Sequence, residues 1–159
     1  MEKLNSIKNM IKNYAPTDYG ELTFHKLISG CGLFAKGHEV STDDGYILKV
    51  FRLIDPFREN NEDQRPVFLQ HGFLDSCECF VINSDRESLA IYLALKGYDV
   101  WLGNSRGNKY STKHLNPDLT KNEYWDFSFQ EMAKYDIPAV LIYVSKLSNN
   151  QKITYIGHS

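Results

Sequence analysis

The sequence predicts an α/β fold in which two hairpin strands lead into a parallel sheet with flanking helices. Three observations carry this. A turn signal, Asp43-Asp44-Gly45, joins two strand-like runs. The short continuous apolar run Pro66–Gln70, and Tyr98–Leu102 after it, read as strands buried on both faces. Between and after them, apolar residues recur at helical spacing, so strands and helices alternate.

Residues 1–25 form a polar, Lys/Asn-rich leader in which Leu4, Ile7 and Ile11 allow one short helix. Residues 26–159 are assigned to a single domain. Its hairpin pairs Glu39-Val40-Ser41-Thr42 with the run Tyr46–Leu53, and Asp55-Pro56 then opens a polar loop reaching Gln64. After the strand at Pro66–Gln70, Ser84-Asp85-Arg86-Glu87 has capping-box form. The helix it predicts runs over Leu89–Lys96, with Gly97 as its C-terminal cap. The strand Tyr98–Leu102 follows at once. Residues 104–127 read as loop, with a turn at Asn116-Pro117. Ser128-Phe129-Gln130-Glu131 repeats the capping-box form ahead of a helix carrying Ala133, Ile137, Val140, Leu141, Val144 and Leu147. Pro138 disfavours a continuous helix there, so a fresh start with Asp136 as N-cap is a second reading. Lys152–Ile156 is the last strand, running into Gly157-His158-Ser159.

Composition narrows the function. The chain has 159 residues, 42% hydrophobic and 13% aromatic, enough for one compact core. A formal charge of −2 and the lack of any basic run argue against a nucleic-acid partner. Cys31, Cys77 and Cys79 make no disulfide framework. His71 is near Cys77 and Cys79 in sequence, but nothing nearby completes a metal site, so no metal or cofactor is expected. No segment approaches the roughly 20 apolar residues of a membrane span. The N-terminus shows no apolar stretch of signal-peptide length.

Gln70-His71-Gly72 and Gly157-His158-Ser159 both lie at the carboxyl ends of predicted strands, where ligands bind in open α/β sheets. A serine hydroxyl needs a base to become a nucleophile, and a strand-to-helix elbow of the form Gly-x-Ser-x-Gly presents it. Gly-His-Ser supplies the first three positions of that form. Acyl transfer also needs donors for the developing oxyanion, each worth about 3–4 kcal/mol, and one comes from the loop after an earlier strand. His71-Gly72-Phe73 fits that loop, about 85 residues before the serine.

With these motifs the chain resembles the acid lipases of the α/β-hydrolase fold, the family of gastric and lysosomal acid lipase. The resemblance runs from about Leu27 to Ser159. Its carriers are Asp44–Leu48, Phe68–Leu74, Gly97–Gly107 and Phe127–Ala139. It implies an incomplete α/β-hydrolase fold ending at the elbow, and hydrolysis of neutral lipid esters, triglycerides or sterol esters, without a cofactor. It assigns Ser159 as nucleophile and the backbone N–H of Phe73, where the family usually has leucine, as an oxyanion donor. Trp101–Gly107 shapes the loop beside the site, and Arg106 pairs with a carboxylate or binds loop carbonyls. Transient contact with a lipid interface and a lysosomal or secreted setting are further implications. In the family the orienting Asp and the base His follow the nucleophile. The expectation is therefore a partial chain, close to inactive as an esterase. Another serine ester or amide hydrolase, or a catalytically dead lipid- or protein-binding chain, stays open.

Overall fold

A computed structural model describes residues 19–58, 64–83 and 87–159. The expected helix at Leu4, Ile7 and Ile11, and Ser84-Asp85-Arg86 of the first capping box, lie outside these residues.

Helix α1 (Tyr19–Ser29) precedes strands β1 (Phe34–Ser41) and β2 (Tyr46–Ile54), which pair antiparallel from Phe34↔Ile54 to Ser41↔Ile47. Thr42 closes the turn: its N–H donates to Tyr46 O (2.9 Å), and its Oγ1 donates to Asp44 Oδ1 (2.6 Å). β3 (Pro66–Gln70), helix α2 (Leu89–Leu95) and β4 (Asp99–Leu102) follow, with a 3₁₀ turn at Cys77–Phe80 between β3 and α2. The remaining elements are β5 (Lys113–His114), α3 (Lys121–Tyr124), α4 (Phe129–Glu131), α5 (Ile137–Leu147) and β6 (Thr154–Gly157). The strand order is β1-β2-β4-β3-β6, with β5 on β2. β4-β3 and β3-β6 are parallel, and the rest are antiparallel.

The alternation of the strands divides the core. Phe51, Leu53, Val67, Leu69, Val100 and Leu102 face one side, where they pack with Phe24 and Ile28 of α1 and Ala90, Ile91 and Ala94 of α2. Leu48, Val50, Phe68 and Trp101 face the other, against Val140 and Val144 of α5. Every residue of β3 and β4 is buried, as expected of parallel strands covered on both faces. The core begins inside α1, where Phe24 stacks on Phe51 with ring centroids 4.4 Å apart.

Gly97 ends α2 as the sequence predicts. It takes φ +96°, its N–H donates to Ala94 O, and the Tyr98 N–H donates to Leu93 O, the two bonds of a Schellman cap. The capping box at Ser128 also forms, with the Glu131 carboxylate accepting from Ser128 N–H at 2.7 Å.

Two expectations are corrected. Asp136 is not an N-cap: it has helical φ and ψ, and its carboxylate is taken by Arg106. The chain passes Pro138 through a π-helical stretch, Met132–Asp136, whose wider turn tolerates the missing N–H and leads straight into α5. Residues 104–127 are not all loop. They contain β5, and α3 starts at a capping box made by Thr120 and Glu123. Cys77 and Cys79 sit on the 3₁₀ turn, and no disulfide joins any of the three cysteines among the described residues.

Candidate active site

The two sequence-predicted motifs meet. β6 pairs with β3 in parallel register, Gln70↔Gly157, so both strands end at one level, and His158 N–H donates to Gln70 O (3.0 Å). The contact beyond is close enough to require glycine. A Cβ on Gly72 would lie 2.9 Å from His158 O and 3.1 Å from Ser159 Cβ. Ser159 is exposed and has φ +60°, a value uncommon for a non-glycine residue.

His71 fixes the peptide between Gly72 and Phe73. Its Nε2 accepts the Ser105 N–H (3.1 Å), which puts the ring proton on Nδ1, and Nδ1 donates to Gly72 O (2.7 Å). In a trans peptide the carbonyl and the next N–H point opposite ways. Holding Gly72 O toward the ring therefore turns the Phe73 N–H away from it. Burial pushes the His71 pKa down, which keeps the ring neutral. Leu74, next along, takes φ +61°.

The loop after β4 supports this arrangement from behind. β4 stops at Leu102, opposite Phe51, so the Lys49 backbone has no strand partner there. Ser111 Oγ accepts the Lys49 N–H (2.9 Å), and Asn104 Nδ2 donates to Lys49 O (3.1 Å). Asn104 Oδ1 also accepts the Cys77 N–H (3.1 Å). Arg106, 2% exposed, donates both Nη groups to the Asp44 carboxylate (2.6 and 2.9 Å). Its Nε and backbone N–H donate to Asp136 (2.8 and 3.0 Å). The guanidinium lies 3.9 Å from the Tyr46 ring centre. Burial opposes the charge on Arg106, but the two carboxylates outweigh it and raise its pKa. Arg106 thus ties the loop to the hairpin and to the start of α5. Of the two partners the sequence left open for Arg106, a carboxylate or loop carbonyls, the structure shows carboxylates, those of Asp44 and Asp136.

Between these loops lies a cleft of about 950 Å³, lined by His71, Phe73, Ser159 and the apolar side chains of Trp125, Phe129 and Ile137. Among the described residues no hydrogen bond reaches Ser159 Oγ, and two of the other histidines, His38 and His114, are engaged elsewhere. His38 Nδ1 lies 2.9 Å from Tyr143 OH, and His114 Nε2 lies 3.0 Å from Asp44 O. One grouping was not legible in sequence: ligand atoms of Asp75, Cys79 and His158 lie within 4.8 Å of one another. His71, the histidine nearest the cysteines in sequence, is not among them. No described helix is long and apolar enough to cross a membrane.

This architecture has known counterparts. Residues 65–159 match the model of the alpha/beta hydrolase fold, and residues 24–84 match that of a partial alpha/beta-hydrolase lipase region. Bovine gastric triacylglycerol lipase is 45% identical over 84% of this chain, covering 34% of its own length. Human lysosomal acid lipase/cholesteryl ester hydrolase is 42% identical over 84% of the chain and 34% of its own. The chain thus spans about a third of the curated relatives it matches. An esterase of Pyrococcus furiosus superposes with a TM-score of 0.56 at 17% identity, over 81% of this chain and 42% of that one, a likeness of fold. The chain belongs to the α/β-hydrolase fold family and, within it, to the lipases of the gastric and lysosomal acid type.

Proposed function

We propose that this chain is the N-terminal part, from about residue 26, of a lipase that hydrolyses neutral lipid esters through an acyl-enzyme on Ser159. The observation that carries the reading is the packing of Ser159 directly on the Gly72-Phe73 turn. In the reaction Ser159 Oγ adds to the ester carbonyl carbon as its proton passes to a base. The carbonyl oxygen takes the negative charge, and the Phe73 N–H donates to it. Collapse expels the alcohol with the proton, and water then releases the fatty acid by the same steps. His71 orients the donor peptide and is not the base, since both its ring nitrogens are engaged. No described histidine is hydrogen-bonded to Ser159, so we infer that residues 1–159 alone have very little esterase activity. The apolar cleft, with Phe73, Leu74 and Phe129 exposed beside it, suits an acyl chain and contact with a lipid surface. The family relationship supports ester hydrolysis and leaves the choice between triglyceride and sterol ester to experiment.

The test is a chimera in which residues 24–159 replace the matching segment of bovine gastric triacylglycerol lipase. It should hydrolyse emulsified triglyceride and react with a fluorophosphonate, and Ser159→Ala should abolish both. A folded chimera that keeps hydrolysis after Ser159→Ala overturns the assignment. Fluorophosphonate labelling of Ser159 in residues 1–159 alone would overturn the inactivity.

A further inference from the structure

We propose that Asp75, Cys79 and His158 form a binding site for a zinc-class divalent cation beside the elbow. The three side chains come from two segments whose backbones are fixed. Asp75 and Cys79 flank the start of the 3₁₀ turn, where the Cys79 N–H donates to Ser76 O (3.1 Å) and Asp75 Oδ1 accepts the Ser76 N–H (2.7 Å). His158 follows β6, with its backbone bonded to Gln70. The fold, not the sequence spacing, brings them together.

The donor set selects the ion. One sulfur, one imidazole nitrogen and one carboxylate oxygen suit zinc, whereas magnesium and calcium call for oxygen alone. Zinc bonds of about 2.3 Å to sulfur and 2.0–2.2 Å to nitrogen and oxygen put donors about 3.3–3.7 Å apart in a tetrahedron. The observed spread of up to 4.8 Å closes by side-chain rotation, since Asp75 and His158 are exposed. Burial and the Asp75 carboxylate push the Cys79 thiol up to about 12, so the empty site holds a protonated thiol. On binding, the S–H bond breaks and an S–Zn bond forms. The proton leaves to solvent, and no electron is transferred. Thiolate, carboxylate and Zn²⁺ then sum to zero charge. Three protein ligands leave a fourth position for water or a substrate atom. Because His158 precedes Ser159, the bound ion would fasten the elbow to the turn that follows the Gly72-Phe73 loop. The site holds whether or not Ser159 is a nucleophile.

The experiment titrates the metal-free, untagged 159-residue chain with Zn²⁺ in competition with a chromogenic chelator. Co²⁺ serves as the spectroscopic probe of a thiolate ligand. One ion should bind per chain, a sulfur-to-cobalt charge-transfer band should appear, and zinc should raise the Tm. Cys79→Ser and His158→Ala should each weaken binding by ~100-fold or more and remove the Tm shift, whereas Cys31→Ser should change neither. If Cys79→Ser loses cooperative unfolding, His158→Ala, at an exposed position, gives the same comparison. Absence of stoichiometric zinc binding overturns the proposal. So does one-to-one binding that survives both ligand variants.

Discussion

Two loops leave neighbouring parallel strands at the same edge of the sheet and end in opposite states. The loop after β4 is polar in sequence yet buried, with Asn104 and Arg106 each 2% exposed and Ser111 fully covered. Its side chains take the hydrogen bonds that a longer β4 would have made, and it tolerates burial because each polar group found a partner. The loop after β3 is apolar in sequence yet open, with Phe73 69% and Leu74 91% exposed. One loop is scaffold, and the other is the site in our proposal. Burial of polar groups marks the part that cannot move, and exposure of apolar ones marks the part left for a ligand. His71 joins the two, taking Ser105 from the first and holding Gly72 in the second.

The contrast breaks most visibly at Arg106. Arg106→Ala leaves the Asp136 carboxylate buried without its cation, and burial already pushes that carboxyl upward. The expected loss is about 3–5 kcal/mol in urea unfolding. Arg106→Lys should recover only part of it, because one ammonium cannot span Asp44 and Asp136 as the planar fork does. A loss below about 1 kcal/mol would show that the β4 loop is held by its neighbours without this ion pair.

The scaffold also carries a titratable weak point on the α5 face of the sheet, where His38 packs on Trp101 and Tyr143. His38 Nε2 is buried without a hydrogen-bond partner among the described residues, and burial with nearby Lys36 and Arg52 lowers the His38 pKa to about 4. The unfolded chain protonates this ring near 6.5, before the folded one does. Stability should therefore be full above pH 6.5 and fall as pH drops toward 4, by about 3 kcal/mol in all. His38→Phe should flatten that slope relative to the parent chain. Equal slopes in the two proteins would remove His38 as the cause.

At the junction, Gly72→Ala tests the packing itself. Its methyl would sit within 3.1 Å of both His158 O and Ser159 Cβ, contacts that only a shift of β6 could relieve. A cost of about 1–3 kcal/mol is expected, with a larger proportional loss of triglyceride hydrolysis in the chimera. Unchanged stability and activity would mean that the two motifs do not touch.

How much of this was legible follows from the range of each signal. β3, β4, the hairpin at Asp43-Asp44-Gly45 and the cap at Gly97 are local patterns, and each formed where the residues predicted. The partners of Arg106 lie 62 and 30 residues away, so the sequence left a carboxylate and loop carbonyls both open and could not name Asp44 or Asp136. The π-helical stretch before Pro138 was hidden, because the proline rule states the cost of a broken helix and not the ways around it. Thr120-x-x-Glu123 has the same form as Ser128-x-x-Glu131, yet it fell in a segment whose Asn, Gly and Lys content masked a single helical turn. Asp75, Cys79 and His158 meet only through the β3–β6 register, which no local pattern encodes.

The smallest expected effect sharpens the comparison furthest. Phe73→Ser removes an exposed side chain, so the stability of the chain should stay within about 0.5 kcal/mol. In the chimera its kcat on a soluble short-chain ester should hold, since the proposed donor is the backbone N–H, and any loss should appear in binding at the lipid surface. Phe73→Pro keeps a bulky apolar residue but deletes that N–H. Its kcat should fall about 10²–10³-fold with the same soluble ester. The two variants at one position separate the roles of the open loop. If the serine variant loses turnover as the proline variant does, the side chain is what the reaction needs. The exposed loop would then act by shaping the cleft and not by presenting its backbone.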